Sequence, residues 1–164
     1  MKLLLSILAV LALAAPAAAQ QTIFVVRHAE RADASQSGSP MMASDPDLSD
    51  KGKARAQSLA TLLKDAGITA IYTTQYKRTL QTAEPLAKAL GIKPTIVDAK
   101  NTASLVEKLK SGGNALVVGH SNTVGEVIRQ LGVSESTSVG DQEYDNLFVV
   151  FRGERPAVVR LHFR

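Results

Sequence analysis

The chain alternates between two hydrophobic periods. Thr22–Val26 is a short apolar run rich in β-branched residues, as buried strands are. Residues 33–47, DASQSGSPMMASDPD, break the pattern with Ser, Asp, Gly and Pro and read as a long surface loop. LSDKGKARAQSLATLLKDAG follows with helical spacing. Ala56, Leu59, Ala60 and Leu63 share one face, Ser49 or Asp50 caps the start, and Gly67 ends it. Thr69–Thr73 is a second strand, and YKRTLQTAEPLAKALG a second helix ending at Gly91. Pro85 is expected to kink that helix or to start a new segment near Glu84. Lys93–Asp98 reads as a third strand, Thr102–Leu109 as a short helix, and Ala115–Val118 as a strand buried on both faces. Ser121–Leu131 is helical and Ser134–Asp145 a polar loop. Asn146–Arg152 and Ala157–Phe163 are strands joined by RGERP, an expected hairpin.

Repeated strand–helix alternation predicts one three-layer α/β/α domain. Its sheet should be mostly parallel, with the closing hairpin adding an antiparallel edge strand. The domain is expected to span residues 20–164. The first nineteen residues stand apart from it: a basic Lys2, an apolar run Leu3–Leu13, then Pro16 and three alanines before Gln20. That is the pattern of a secretory signal cleaved before Gln20, and the run is too short for a comfortable membrane span. The expectation is an exported protein, periplasmic or extracellular, with no stable span after cleavage. Losing Lys2 takes the formal charge from +4 to +3. That balance suits an anionic ligand. With 4% aromatics and no basic run, nucleic acid is not an expected partner. There are no cysteines and only three histidines, so disulfides and thiolate metal sites are excluded.

In open α/β sheets, ligands bind beyond the carboxyl ends of the strands. Arg27 and His28 follow the first strand directly, Arg78 falls in the helix turn after the second, and GHSN at 119–122 follows the fourth. One rim therefore gathers two histidines and several arginines. Arginine forks match phosphate oxygens at every relevant pH. A neutral imidazole attacks phosphorus and forms a covalent intermediate. Phosphoryl transfer needs its charge held by fixed cations, a task arginines can perform in place of a metal.

VVRHAER at 25–31 resembles the opening signature of the histidine phosphatase superfamily, which includes the cofactor-dependent phosphoglycerate mutases; Ala29 replaces the usual glycine. LSDKGKARAQSLA is similar to the family's Leu-Thr-x-x-Gly-x-x-Gln-Ala helix. YTTQYKRTLQTAEPLA is similar to its Ser-x-x-x-Arg-x-x-Gln-Thr-Ala segment, and ALVVGHSNTV to the strand and turn of its second histidine. The four segments occur in family order. The resemblance implies a phosphoglycerate mutase-like fold and His28 as nucleophile. It implies Arg27, Arg31, Arg78 and His120 as phosphate ligands, His120 also donating in the transition state, and no metal or other cofactor. The proton donor is sought first at Glu30, then Asp98, then Glu107, or no dedicated donor exists.

The expected activity is metal-independent hydrolysis of small phosphomonoesters through a phosphohistidine. The alternatives are a protein phosphohistidine phosphatase and a non-catalytic binder of phosphorylated ligands in the envelope. A mutase is disfavoured because the chain lacks the family's extra segments. Specificity is expected from 33–47, 98–104 and 134–145, with Tyr144 or Asp145 bordering the pocket. Ser121, Asn122 and Thr123 are expected first as cap residues, and His162 as structural. Lys51, Lys53 and Arg55 are expected to form a solvated face. Oligomeric state is left open by the sequence.

Overall fold

The computed structural model describes residues 20–32, 45–110 and 112–164. The expected signal, and residues 33–44 of the expected loop, lie outside the described residues. Ten elements follow in order: β1 (Thr22–Arg27), α1 (Asp50–Leu63), β2 (Ile68–Thr73), α2 (Lys77–Leu90), β3 (Thr95–Ile96), α3 (Thr102–Lys110), β4 (Asn114–Gly119), α4 (Ser121–Gln130), β5 (Asn146–Phe151) and β6 (Ala157–His162).

The strands form one sheet in the order β3-β2-β4-β1-β5-β6. β3, β2, β4 and β1 are parallel, while β5 runs antiparallel to both β1 and β6. The chain first winds outward from β1 to β3 and then returns to insert β4 between β1 and β2. Right-handed crossovers in opposite directions put helices on opposite faces. The pleat divides each central strand accordingly. Val25, Val117 and Phe148 face Leu105, Leu109, Val127 and Ile128 of α3 and α4. Val26, Val118 and Leu147 face Leu59, Leu63, Ala83 and Leu86 of α1 and α2.

Two elements differ from expectation. β3 shrinks to two exposed residues, because Lys93 and Pro94 do not extend the ladder and only Tyr72 and Thr73 pair with it. Pro85 starts no new segment: α2 is one helix, held through the proline by its buried stripe of Thr79, Thr82, Ala83, Leu86 and Ala87. Gly91 closes it at φ 67°, a left-handed conformation that glycine adopts without Cβ strain. Ser49 caps α1, accepting from the Gly52 N–H at 3.1 Å.

Candidate active site

The insertion of β4 beside β1 brings the two histidines together. Arg27 lies opposite Gly119 in the parallel register, and the His28 N–H donates to the Gly119 carbonyl at 2.9 Å. The next residues on each strand face one another, and the His28 and His120 rings sit 5.4 Å apart, edge to face. α2 delivers Arg78, whose Nη2 approaches His120 Nδ1 at 3.5 Å. This rim borders a cavity of about 740 Å³, lined also by Arg31 and Lys51.

The ring of His28 is fixed. Its Nδ1 lies 2.8 Å from the Ala29 carbonyl, which only accepts, so Nδ1 carries the proton and Nε2 keeps a lone pair. Ala29 is itself held: its N–H donates to Thr82 Oγ1 at 2.9 Å, and Thr82 donates to the Arg78 carbonyl at 2.7 Å. Burial pushes the His28 pKa from 6.5 down to about 3. The Ala29 carbonyl opposes this, and His120, Arg27 and Arg78 add to it. His120 is lowered to about 4 by burial and then by Arg78 and Arg27, with Asp45 opposing.

Arg27 is 8% exposed. Its Nη1 donates to the carbonyls of Gly140 at 2.8 Å and Glu143 at 3.4 Å, and its guanidinium stacks 4.1 Å from the Tyr144 ring. Arg78 lies 4.3 Å from the Tyr76 ring and 3.5 Å from the Asp45 carboxylate. In both arginines the Nε–H is buried and has no partner among the described residues. Such donors are costly to leave unpaired. Arg31 sits at the exposed mouth of the cavity, its backbone bridged to Leu48.

The acids are placed differently from expectation. Glu30 is on the cavity wall, but Arg55 grips both its oxygens at 2.7 and 2.8 Å, and Lys51 stands 3.4 Å away. Burial raises the Glu30 pKa, yet the hydrogen bonds and charge of Arg55 outweigh it and the carboxyl stays below its usual range. A proton donor must hold a proton, so this carboxylate does not suit the role. Asp98 accepts from the Lys100 N–H at 2.9 Å, and Glu107 is exposed on α3 beside Lys110; neither lines the cavity. Among the described residues, the carboxylates that do line it besides Glu30 are Asp50 and Asp141, the latter accepting from Ser121 Oγ at 3.2 Å.

Arg55 is no solvated residue. Its side chain is 13% exposed and also donates to the Phe163 carbonyl at 3.0 Å. Lys51, one helical turn earlier, lines the cavity; their four-residue spacing was the available signal. Loop 134–145 supplies Asp141, Gln142 and Tyr144 to the wall, while Asp145 turns away to His162 at 3.2 Å. Asp98, Ala99, Asn101 and Thr102 border a separate apolar crevice with Val97 and Leu105 instead of this cavity. The α4 N-cap is His120, with Thr123 Oγ1 accepting its N–H at 2.9 Å.

Fold and site thus define an α/β protein with an arginine-rich rim built around two buried histidines at the carboxyl ends of β1 and β4. Residues 23–102 match the family model of the histidine phosphatase superfamily, branch 1. The matched segment carries Arg27, His28, Arg31 and Arg78. Solved structures share its fold. The protein histidine phosphatase SixA complexed with tungstate superposes with a TM-score of 0.67 at 19% identity, covering 87% of this chain and 97% of that one. A mycobacterial glucosyl-3-phosphoglycerate phosphatase with VO3 gives 0.66 at 13%, covering 87% and 98%. A phosphoserine phosphatase mutant from Entamoeba histolytica in complex with phosphoserine gives 0.62 at 14%, covering 87% and 96%. No curated protein matches the chain in sequence.

Proposed function

We propose that the protein is an exported, metal-independent phosphatase that hydrolyses small phosphomonoesters through a phosphohistidine on His28. One observation carries the reading: His28 Nδ1 is committed to the Ala29 carbonyl, which leaves the Nε2 lone pair for phosphorus, in a cavity lined also by Arg27, Arg78 and His120. Nε2 attacks phosphorus as the bond to the leaving oxygen breaks, and that oxygen takes a proton from solvent. Water then attacks the phosphohistidine, the N–P bond breaks, and phosphate departs with Nε2 restored. Arg27, Arg78 and a protonated His120 hold the equatorial oxygens, with Arg31 at the mouth. The wall beyond the phosphoryl position is polar, with Asp50, Lys51, Asn122, Asp141 and Gln142, and suits a polar leaving group. Export is inferred from the basic, apolar and small-residue segments at the start of the chain.

The test is hydrolysis of p-nitrophenyl phosphate and a panel of polar phosphomonoesters in EDTA, with wild type and His28→Ala. Expected are turnover in wild type, a loss of about 10³-fold or more in the variant, and an acid-labile phosphoryl group trapped on His28. Turnover that requires a divalent ion, or that survives the substitution, overturns the mechanism. Turnover confined to phosphohistidine peptides favours the protein phosphohistidine phosphatase reading. Binding of tungstate without turnover on any substrate favours the non-catalytic binder.

A further inference from the structure

We propose that Thr74 and Thr79 are positioning residues that lock His120 as its Nε2–H tautomer, so that the site takes up one proton at His120 Nδ1 whenever it binds a phosphoryl group. The proposal rests on the rim being a phosphoryl site, but not on turnover.

The tautomer follows from a chain of hydrogen bonds that has one consistent direction. Thr79 Oγ1 lies 2.8 Å from the Tyr76 carbonyl and 3.1 Å from the Thr74 carbonyl. Carbonyls only accept, so the single Thr79 hydroxyl proton is committed to them. Towards Thr74 Oγ1, 2.9 Å away, Thr79 therefore accepts, and the Thr74 proton is spent in turn. Towards His120 Nε2, 3.0 Å away, Thr74 is left only a lone pair, and Nε2 must carry the hydrogen. On the opposite edge of the ring, Arg78 Nη2 approaches Nδ1 at 3.5 Å, and a guanidinium only donates. Both sides of the ring thus require Nε2–H and a bare Nδ1. Thr74 is 8% exposed and Thr79 fully buried, so solvent is poorly placed to replace either partner.

A bare Nδ1 is the wrong group to meet an oxyanion, because lone pair faces lone pair. A proton there turns the same nitrogen into a charged donor. The surroundings of the empty site oppose that proton. Burial acts most strongly, then Arg78 from α2 and Arg27 from the end of β1, while the neighbouring His28 is neutral. Tyr76 stands edge-on at 5.4 Å, Asp45 from the preceding loop is the opposing charge among the described residues, and Tyr144 faces the His28 side. A doubly charged anion reverses the local sum, and the proton enters with it. His28 stays neutral, since its Nδ1 is already committed to Ala29 and its Nε2 must face phosphorus.

Calorimetric titration of the purified chain with tungstate at pH 7.5, in two buffers of different ionisation enthalpy, measures the uptake. Tungstate brings no proton of its own at that pH. Close to one proton per anion is expected in wild type and in Thr74→Ser. Less than half is expected in Thr74→Val, which removes the acceptor for Nε2–H. The same fall is expected in Thr79→Val, which frees the Thr74 hydroxyl to donate to Nε2 and so flips the ring. Long-range ¹H–¹⁵N spectra should show a lone-pair Nδ1 on His120 in the empty protein and a protonated one with tungstate. No uptake in wild type, uptake unchanged in both valine variants, or a proton landing on His28 overturns the proposal. Intact uptake with no turnover on any phosphate overturns the phosphatase reading alone. Failure to bind tungstate overturns the oxyanion site on which both stand.

Discussion

Acidification from pH 7 to pH 5 should weaken the empty fold by about 4 kcal/mol, through two side chains. His28 titrates near 3 and His120 near 4 in the folded chain, against an ordinary 6.5. Below 6.5 the unfolded chain takes up protons that the folded chain refuses, so stability falls as pH falls, over the window from 6.5 down to about 3 to 4. Each pH unit in that window costs about 1.4 kcal/mol per histidine. The interval from 6.5 to 5 then costs about 2 kcal/mol each, roughly 4 kcal/mol together. Both residues are buried, at 5% and 8% exposure, so solvent does not screen the effect away. Glu30 acts in a different window: its depressed pKa contributes stability that is lost only as pH falls below the ordinary 4.5. Urea unfolding followed by circular dichroism at pH 7 and pH 5 measures the difference. Wild type should lose about 4 kcal/mol, each of His28→Asn and His120→Asn about 2, and the double variant under about 1. A double variant as acid-sensitive as wild type would refute the assignment of the effect to these rings.

Three other outcomes follow from single contacts. Arg55→Leu strands a Glu30 carboxylate that is 12% exposed and should cost about 3 kcal/mol in urea unfolding, with Glu30→Gln in the same background restoring much of it. Gly52→Ala drives a Cβ into the Glu30 carbonyl, backbone against backbone; it should cost about 3 kcal/mol or more and weaken tungstate binding through displacement of the segment after β1. Arg78→Leu removes a buried donor from the rim without touching the nucleophile, and calorimetry should show tungstate affinity reduced about 10²-fold or more.

The parts of this molecule legible from sequence are those where chemistry sits next to a strand end. Arg27 ends β1 with His28 directly after it, and His120 directly follows β4, so a strand pattern and the rule for parallel sheets suffice to put them on one rim. Contacts that depend on which elements come to lie against each other were not legible. Arg55 looks like one of three cations on a helix face, and only the packing of α1 against the segment after β1 gives it Glu30 as partner. Thr74 and Thr79 read as turn and helix-start residues, and nothing in their spacing announces that their hydroxyls point one way along a chain ending on His120.

Glu30 shows most sharply how proximity in sequence misleads. Two residues after His28 it reaches the cavity wall, yet the segment that lets Ala29 hold the His28 ring also gives the carboxylate to Arg55. A group held as an anion by a buried guanidinium organises the wall and gives up no proton. Among the described residues, the other carboxylates on the cavity wall belong to segments remote from His28 in sequence: Asp50 in the first turn of α1, and Asp141 in the loop whose Gly140 carbonyl clamps Arg27. Asp141 is tied to the rim through that loop: the Gly140 carbonyl accepts from Arg27 Nη1 and the Asp141 carboxylate accepts from Ser121 Oγ, so one segment positions an arginine and an acid on the same wall.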